Sequence, residues 1–91
     1  MSAEFQKAAT DVKNLNSSPS NDELLELYGL YKIANGEDFT KASKPGMFDL
    51  KGKAKYGHWE KLHNDGVKKA DAEKKYVELV NSLKQKYGFK G

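Results

Sequence analysis

The stretch Ser20-Asn-Asp-Glu-Leu-Leu-Glu-Leu-Tyr-Gly-Leu-Tyr-Lys-Ile-Ala-Asn-Gly36 decides the fold class. Ser20 and Glu23 have the spacing of a capping box, in which each side chain satisfies a backbone N–H that a starting helix leaves unpaired. From there Leu24, Leu25, Leu27, Tyr28, Leu30, Tyr31 and Ala34 follow helical spacing, and Asn35-Gly36 supplies the stop. The apolar residues cover more than half of this helix's circumference. A helix that wide packs against two neighbours, or against one neighbour and a ligand.

Upstream, Phe5, Ala8, Ala9, Val12 and Leu15 form the apolar stripe of a first helix, which Asn14, Asn16, Ser17, Ser18 and Pro19 end. Downstream, residues 37–50 keep no sustained period and contain the Pro45-Gly46 turn signal, which predicts an ordered loop pinned by Phe39, Met47 and Phe48. A loop that long inside a compact domain tends to be functional. Lys51, Lys55, Trp59 and Leu62 line one side of a third helix over Lys51 to His63, stopped by Asn64-Asp65-Gly66 and weakened by Gly52 and Gly57. Ala72, Tyr76, Leu79, Val80, Leu83 and Tyr87 mark a last helix from about Lys68 to Tyr87. No segment alternates as a strand does, so the chain reads as all-α.

The 91 residues make one domain, 1–91. A chain this short buries only about 60–65% of its unfolded surface, so its core is thin. With 37% hydrophobic and 32% charged residues the composition is globular. Cysteine is absent, which removes disulfides and thiolate chemistry and suits a reducing compartment. No apolar run is long enough for a membrane span or a secretory signal, so a soluble cytoplasmic protein is expected.

A formal charge of +3 and a pI near 9.0 give a mild preference for anions. Lysines gather between Lys51 and Lys61, whereas acids dominate Ser20 to Asp38, where Lys32 is the only lysine. Nucleic acid fits poorly as a partner. The chain has no arginine, hence no bidentate reading of guanine and no guanidinium stacking.

The chemistry of an enzyme is missing. His58 and His63 lie five residues apart, so they diverge on a helix and lack the spacing of a zinc pair. Phosphate-loop, dinucleotide and hydrolase-elbow motifs are absent, and no nucleophile sits with a base. Neither catalysis, nor a metal, nor a cofactor is expected.

What remains is a constellation. Tyr28, Tyr31 and Lys32 fall at i, i+3 and i+4 and share one helix face, where two phenols flank one ammonium. Phenol rings offer stacking surfaces, and lysine offers a compact cation for phosphate. Lys51 and Lys55 lie one turn apart on the third helix, a like-charged pair that an anion would relieve, while Lys53 points elsewhere. A core tyrosine pair and a solvated basic face would explain each feature alone. Together they suit an aromatic, multiply phosphorylated ligand shared between two helices.

The blocks Pro19 to Lys32 and Lys44-Pro-Gly-Met-Phe-Asp-Leu-Lys-Gly-Lys-Ala-Lys-Tyr-Gly-His-Trp59 closely resemble the acyl-CoA-binding protein (diazepam-binding inhibitor) family. The likeness extends to Ala3-Glu-Phe-Gln-Lys-Ala-Ala9, Tyr76 and Lys86-Tyr-Gly88 and so spans nearly the whole chain. It implies a four-helix up-down-down-up bundle in a single acyl-CoA-binding domain. It also implies a monomeric, non-catalytic intracellular carrier and pool former for medium- and long-chain acyl-CoA esters, in transient contact with acyl-CoA-using enzymes or membranes. Tyr28, Gly29, Leu30, Tyr31 and Lys32 fall on the family's second-helix ligand stretch, with Lys32 on phosphates near the ribose and a tyrosine ring near the adenine. Lys55 and Lys51 match third-helix phosphate contacts, Tyr76 a fourth-helix tyrosine, and Lys13 a first-helix lysine at the site's edge. The chain departs from the family at Ile33, where glutamine is usual, at Tyr56, often tryptophan, and in the spacing of the loops around Gly36 and Gly66.

Overall fold

The computed structural model describes residues 3–42 and 44–89. Four helices carry the fold: α1 (Ala3–Asp11), α2 (Asn21–Ala34), α3 (Leu50–Asn64) and α4 (Lys69–Tyr87). Among the described residues, short 3-10 turns at Val12–Asn14 and Phe39–Lys41 complete the secondary structure, apart from one antiparallel bridge between Leu15 and Phe89.

Local chemistry sets most helix ends. At α2 the capping box forms in full, with the Glu23 N–H donating to the Ser20 hydroxyl and the Ser20 N–H to Oε1 of Glu23 at 2.8 Å. Its other end is a Schellman motif: Gly36, at φ 76°, donates its N–H to the Ile33 carbonyl, and Glu37 donates to that of Lys32. Gly66, also at φ 76°, closes α3 in the same way, with Val67 bonding back to Leu62. Asp49 starts α3 by accepting the Gly52 N–H at 2.8 Å.

Two expectations need correction. The first helix does not run regularly to Leu15; it ends at Asp11 and tightens into the 3-10 turn. The Asp11 carboxylate takes a 2.6 Å hydrogen bond from Lys84, and the Asn16 N–H bonds to the Gly88 carbonyl, so the chain straightens to meet the far end of α4. Nor do Met47 and Phe48 pin the long loop. Phe39 does, 9% exposed and packed edge-on and tilted among Tyr56, Trp59 and His63 with ring centroids 4.7–5.3 Å apart, while Met47 and Phe48 project outward.

The helix directions follow from their contacts. Along α1 and α4, Phe5 meets Tyr76, Asp11 meets Lys84 and Leu15 pairs with Phe89, so these two run parallel. Glu23 bonds to Lys86 and Tyr87 whereas Tyr31 meets Tyr76, so α2 opposes α4. Tyr28 faces Lys55 and Lys32 faces Trp59, so α3 runs with α2. The order is therefore up-down-down-up.

Phe5, Ala8, Leu27, Leu30, Ala34, Ala72, Tyr76, Val80 and Leu83 form the core between α1, α2 and α4. Each large side chain buried there contributes about 1.5–3 kcal/mol of transfer free energy. Among the described residues α3 packs only on α2 and on the turn at Phe39. It stands off from α1 and α4, and Gly29 lets it approach α2 closely: a Cβ there would lie 2.6 Å from Cδ1 of Leu62. The bundle is thus open on the side where α3 leaves α4 uncovered.

Candidate functional site

Tyr28 sits at the centre of that open side. The 3.6-residue period puts Tyr28, Tyr31 and Lys32 on one face of α2, and the parallel run of α3 brings Lys55 opposite. The Lys32 and Lys55 ammonium nitrogens lie 5.4 and 5.3 Å from the Tyr28 ring centroid. Two cations from different helices therefore attend one aromatic ring. Contacts of this kind contribute about 0.5–1 kcal/mol at exposed sites, too little to offset much repulsion, so the pair is well placed to receive anionic oxygens.

Two adjoining grooves flank this ring. One, of about 410 Å³, has walls from Lys13, Leu27, Tyr28, Tyr31 and Tyr76. The other, of about 390 Å³, is lined by Leu25, Leu50, Lys51 and Ala54 between the N-terminal ends of α2 and α3. Leu24 and Lys55 border both, so the grooves form one trough with an apolar floor and lysines along its rim. A third recess of about 420 Å³ opens beside Lys32, Lys41 and Trp59.

Lys32 already has an ion-pair partner within the protein. Its ammonium donates to Oε1 of Glu37 at 3.1 Å and lies 5.7 Å from the Trp59 ring. Partial burial opposes its charge, but the Glu37 hydrogen bond and the neighbouring Tyr28 outweigh that and raise its pKa above the ordinary lysine value. Tyr76 forms the inner wall. Burial pushes its phenol up to about 12, with Tyr31 adding to the effect, so it is neutral at physiological pH. Its ring packs on Phe5 at 5.0 Å and near Tyr31 at 6.0 Å, which couples the trough wall to the core.

Of the residues expected from sequence, Lys13, Tyr28, Tyr31, Lys55 and Tyr76 share one groove, Lys51 borders the next, and Lys32 reaches Tyr28 from the recess at the end of α2. Gly29 and Leu30 are not brought to the trough. Leu30 is 2% exposed within the core, and Gly29 is buried against α3. The contributors missed include Leu24, Leu25, Leu50 and Ala54 along the trough and Glu37 beside Lys32. Leu24, 46% exposed, and Leu25 floor the trough, and the excess apolar breadth of α2 was the signal for them. Glu37 carried no spacing signal, because it reaches Lys32 only through the turn-back at Gly36.

The chain matches the family model described as acyl CoA binding protein over residues 2–80. It is 53% identical to acyl-CoA-binding protein homolog 1 of Caenorhabditis elegans over 97% of this chain and 99% of that protein. It is 47% identical to acyl-CoA-binding protein 2 of Saccharomyces pastorianus over 91% of this chain and 92% of that one. Among solved structures it is similar to that of the acyl coenzyme A binding protein from yeast, with a TM-score of 0.73 and 43% identity, covering 97% of this chain and 99% of that one. The crystal structure of acyl-CoA-binding protein 2 from Oryza sativa superposes with a TM-score of 0.79 at 34% identity, covering 91% of this chain and 89% of that one.

Proposed function

The chain belongs to the acyl-CoA-binding protein family, and from that premise we propose that it binds medium- and long-chain acyl-CoA esters without transforming them and carries them inside the cell. Tyr28 carries this reading. It brings ammonium groups from α2 and α3 to one ring beside an apolar trough, so a single amphiphile can satisfy both at once.

In this reading Lys32 and Lys55 take the phosphates, Tyr28 or Tyr31 presents a ring to the adenine, and Lys13 and Lys51 lie at the rim. The acyl tail runs along Leu24, Leu25, Leu50 and Ala54. Charge-assisted contacts contribute about 1.5–3 kcal/mol each, whereas burying a methylene contributes about 0.8 kcal/mol. A long tail therefore dominates affinity, and the polar contacts decide that coenzyme A esters bind in preference to free fatty acids. Enclosing the tail turns a membrane-partitioning amphiphile into a soluble pool available to enzymes. Among the described residues no helix is long and apolar enough to cross a membrane, which agrees with a carrier that meets membranes from outside.

Titration calorimetry with palmitoyl-CoA tests the assignment. Lys32→Ala and Lys55→Ala are expected to weaken binding at least about tenfold, with helical circular dichroism unchanged. Undiminished affinity in both variants removes these lysines from the site.

A further inference from the structure

Met47, Phe48 and Leu50 are 74%, 92% and 77% exposed, at the turn that leads into α3. Hydrogen bonds hold them out. The Asp49 N–H bonds to the Gly46 carbonyl at 3.1 Å, the Leu50 N–H to that of Phe48 at 3.1 Å, and the Asp49 side chain is engaged with the Gly52 N–H. The turn is built to project, and three large apolar side chains stand in water at its tip.

Lysines flank the tip along the chain. Between positions 41 and 55 the sequence holds Lys41, Lys44, Lys51, Lys53 and Lys55, all exposed, against one carboxylate, Asp49, which the helix start occupies. An exposed apolar tip flanked in sequence by exposed lysines matches the boundary of an anionic bilayer, where apolar side chains enter the acyl region and lysines meet the headgroups. A protein partner fits less well. A specific protein interface buries about 800 Å² on each side, more than a three-residue convex tip provides.

We propose that this turn docks the protein on anionic lipid surfaces. Leu50 belongs both to the tip and to the apolar trough between α2 and α3, so docking sets the trough mouth at the bilayer. A tail can then pass between lipid and protein without crossing water. That last step rests on the acyl-CoA reading; the docking itself does not.

Co-sedimentation of the ligand-free protein with phosphatidylcholine vesicles, with and without phosphatidylserine, tests the proposal. Binding is expected only with phosphatidylserine and is weakened by salt. Met47→Ser/Phe48→Ser is expected to lose at least about tenfold in partitioning, and Lys44→Gln/Lys53→Gln to lose the salt-sensitive part. None of these four residues lines the trough, so palmitoyl-CoA affinity in vesicle-free solution should stay unchanged in both variants. Equal binding of wild type and Met47→Ser/Phe48→Ser to anionic vesicles overturns the proposal. So does absence of wild-type binding, or a concentration-dependent dimer in sedimentation that the serine variant abolishes. If vesicles bind as expected but palmitoyl-CoA does not, the acyl-CoA reading fails and the docking surface stands.

Discussion

Oε1 of Glu37 lies 3.1 Å from Nζ of Lys32, so the cation assigned to ligand phosphate is already paired within the protein. The Schellman turn at Gly36 creates this contact by folding Glu37 back over the last turn of α2. The Lys32 and Glu37 side chains are 26% and 43% exposed, and pairs this accessible are worth about 0.2–1 kcal/mol. A phosphate that takes Lys32 competes with Glu37 for its charge. Glu37→Gln is therefore expected to raise acyl-CoA affinity by up to about fivefold, more at low salt than at high, by calorimetry. An unchanged or lower affinity would mean that phosphate does not compete for Lys32.

The trough predicts how affinity climbs with tail length. Full burial of a methylene corresponds to about fourfold in affinity, and an open groove recovers only part of that, so about two- to fourfold per methylene is expected until the floor at Leu24, Leu25, Leu50 and Ala54 is covered. Further carbons should add little. A competition series from butyryl- to stearoyl-CoA reads this directly, and a flat series would place the tail outside the trough.

Much of this was legible in the sequence where the deciding chemistry is local. Ser20, Glu23 and Gly36 bound α2 because cap residues act on backbone groups a few positions away, and the same holds for Gly66 after α3. The end of α1 was not legible, since it depends on Asp11 meeting Lys84, 73 residues away, and on the bridge from Leu15 to Phe89. Met47 and Phe48 were misread because apolarity alone does not distinguish a side chain that packs from one that a capped turn holds in water. The resemblance marked residues 28–32 as one ligand stretch, yet about 100° of rotation per helical residue necessarily sends part of any such run to the opposite side. Gly29 and Leu30 are that part.

Gly29 has its own prediction. Alanine in a helix gains about 1 kcal/mol over glycine, but overpacking costs about 1–3 kcal/mol. A methyl at Gly29 would sit 2.6 Å from Leu62 Cδ1 and 3.3 Å from His58 Cδ2. Gly29→Ala should thus cost up to about 2 kcal/mol of stability after the helical gain, read as a lower urea midpoint. In a Leu62→Ala background the clash is gone and the same substitution should cost less, a coupling that a double-mutant cycle measures.

Glu23 is expected to contribute to stability in acid. Its carboxylate accepts from the Tyr87 hydroxyl at 2.5 Å, the Ser20 N–H at 2.8 Å and Lys86 at 3.0 Å, which joins the start of α2 to the end of α4. The Tyr87 bond first, then those from Ser20 and Lys86, lower its pKa from 4.5 to about 2. A carboxylate whose pKa is depressed on folding stabilises the native state above its unfolded value and loses that contribution as pH falls through the folded one. This contribution is accordingly complete above 4.5 and fades between there and about 2. Tyr87→Phe removes the largest of the lowering contacts. Its expected effect is a rise in the Glu23 pKa, read by carboxyl carbon NMR, and acid unfolding at higher pH by circular dichroism. If the acid transition of Tyr87→Phe overlays that of the unsubstituted protein, the link between α2 and α4 through Glu23 does not set acid stability.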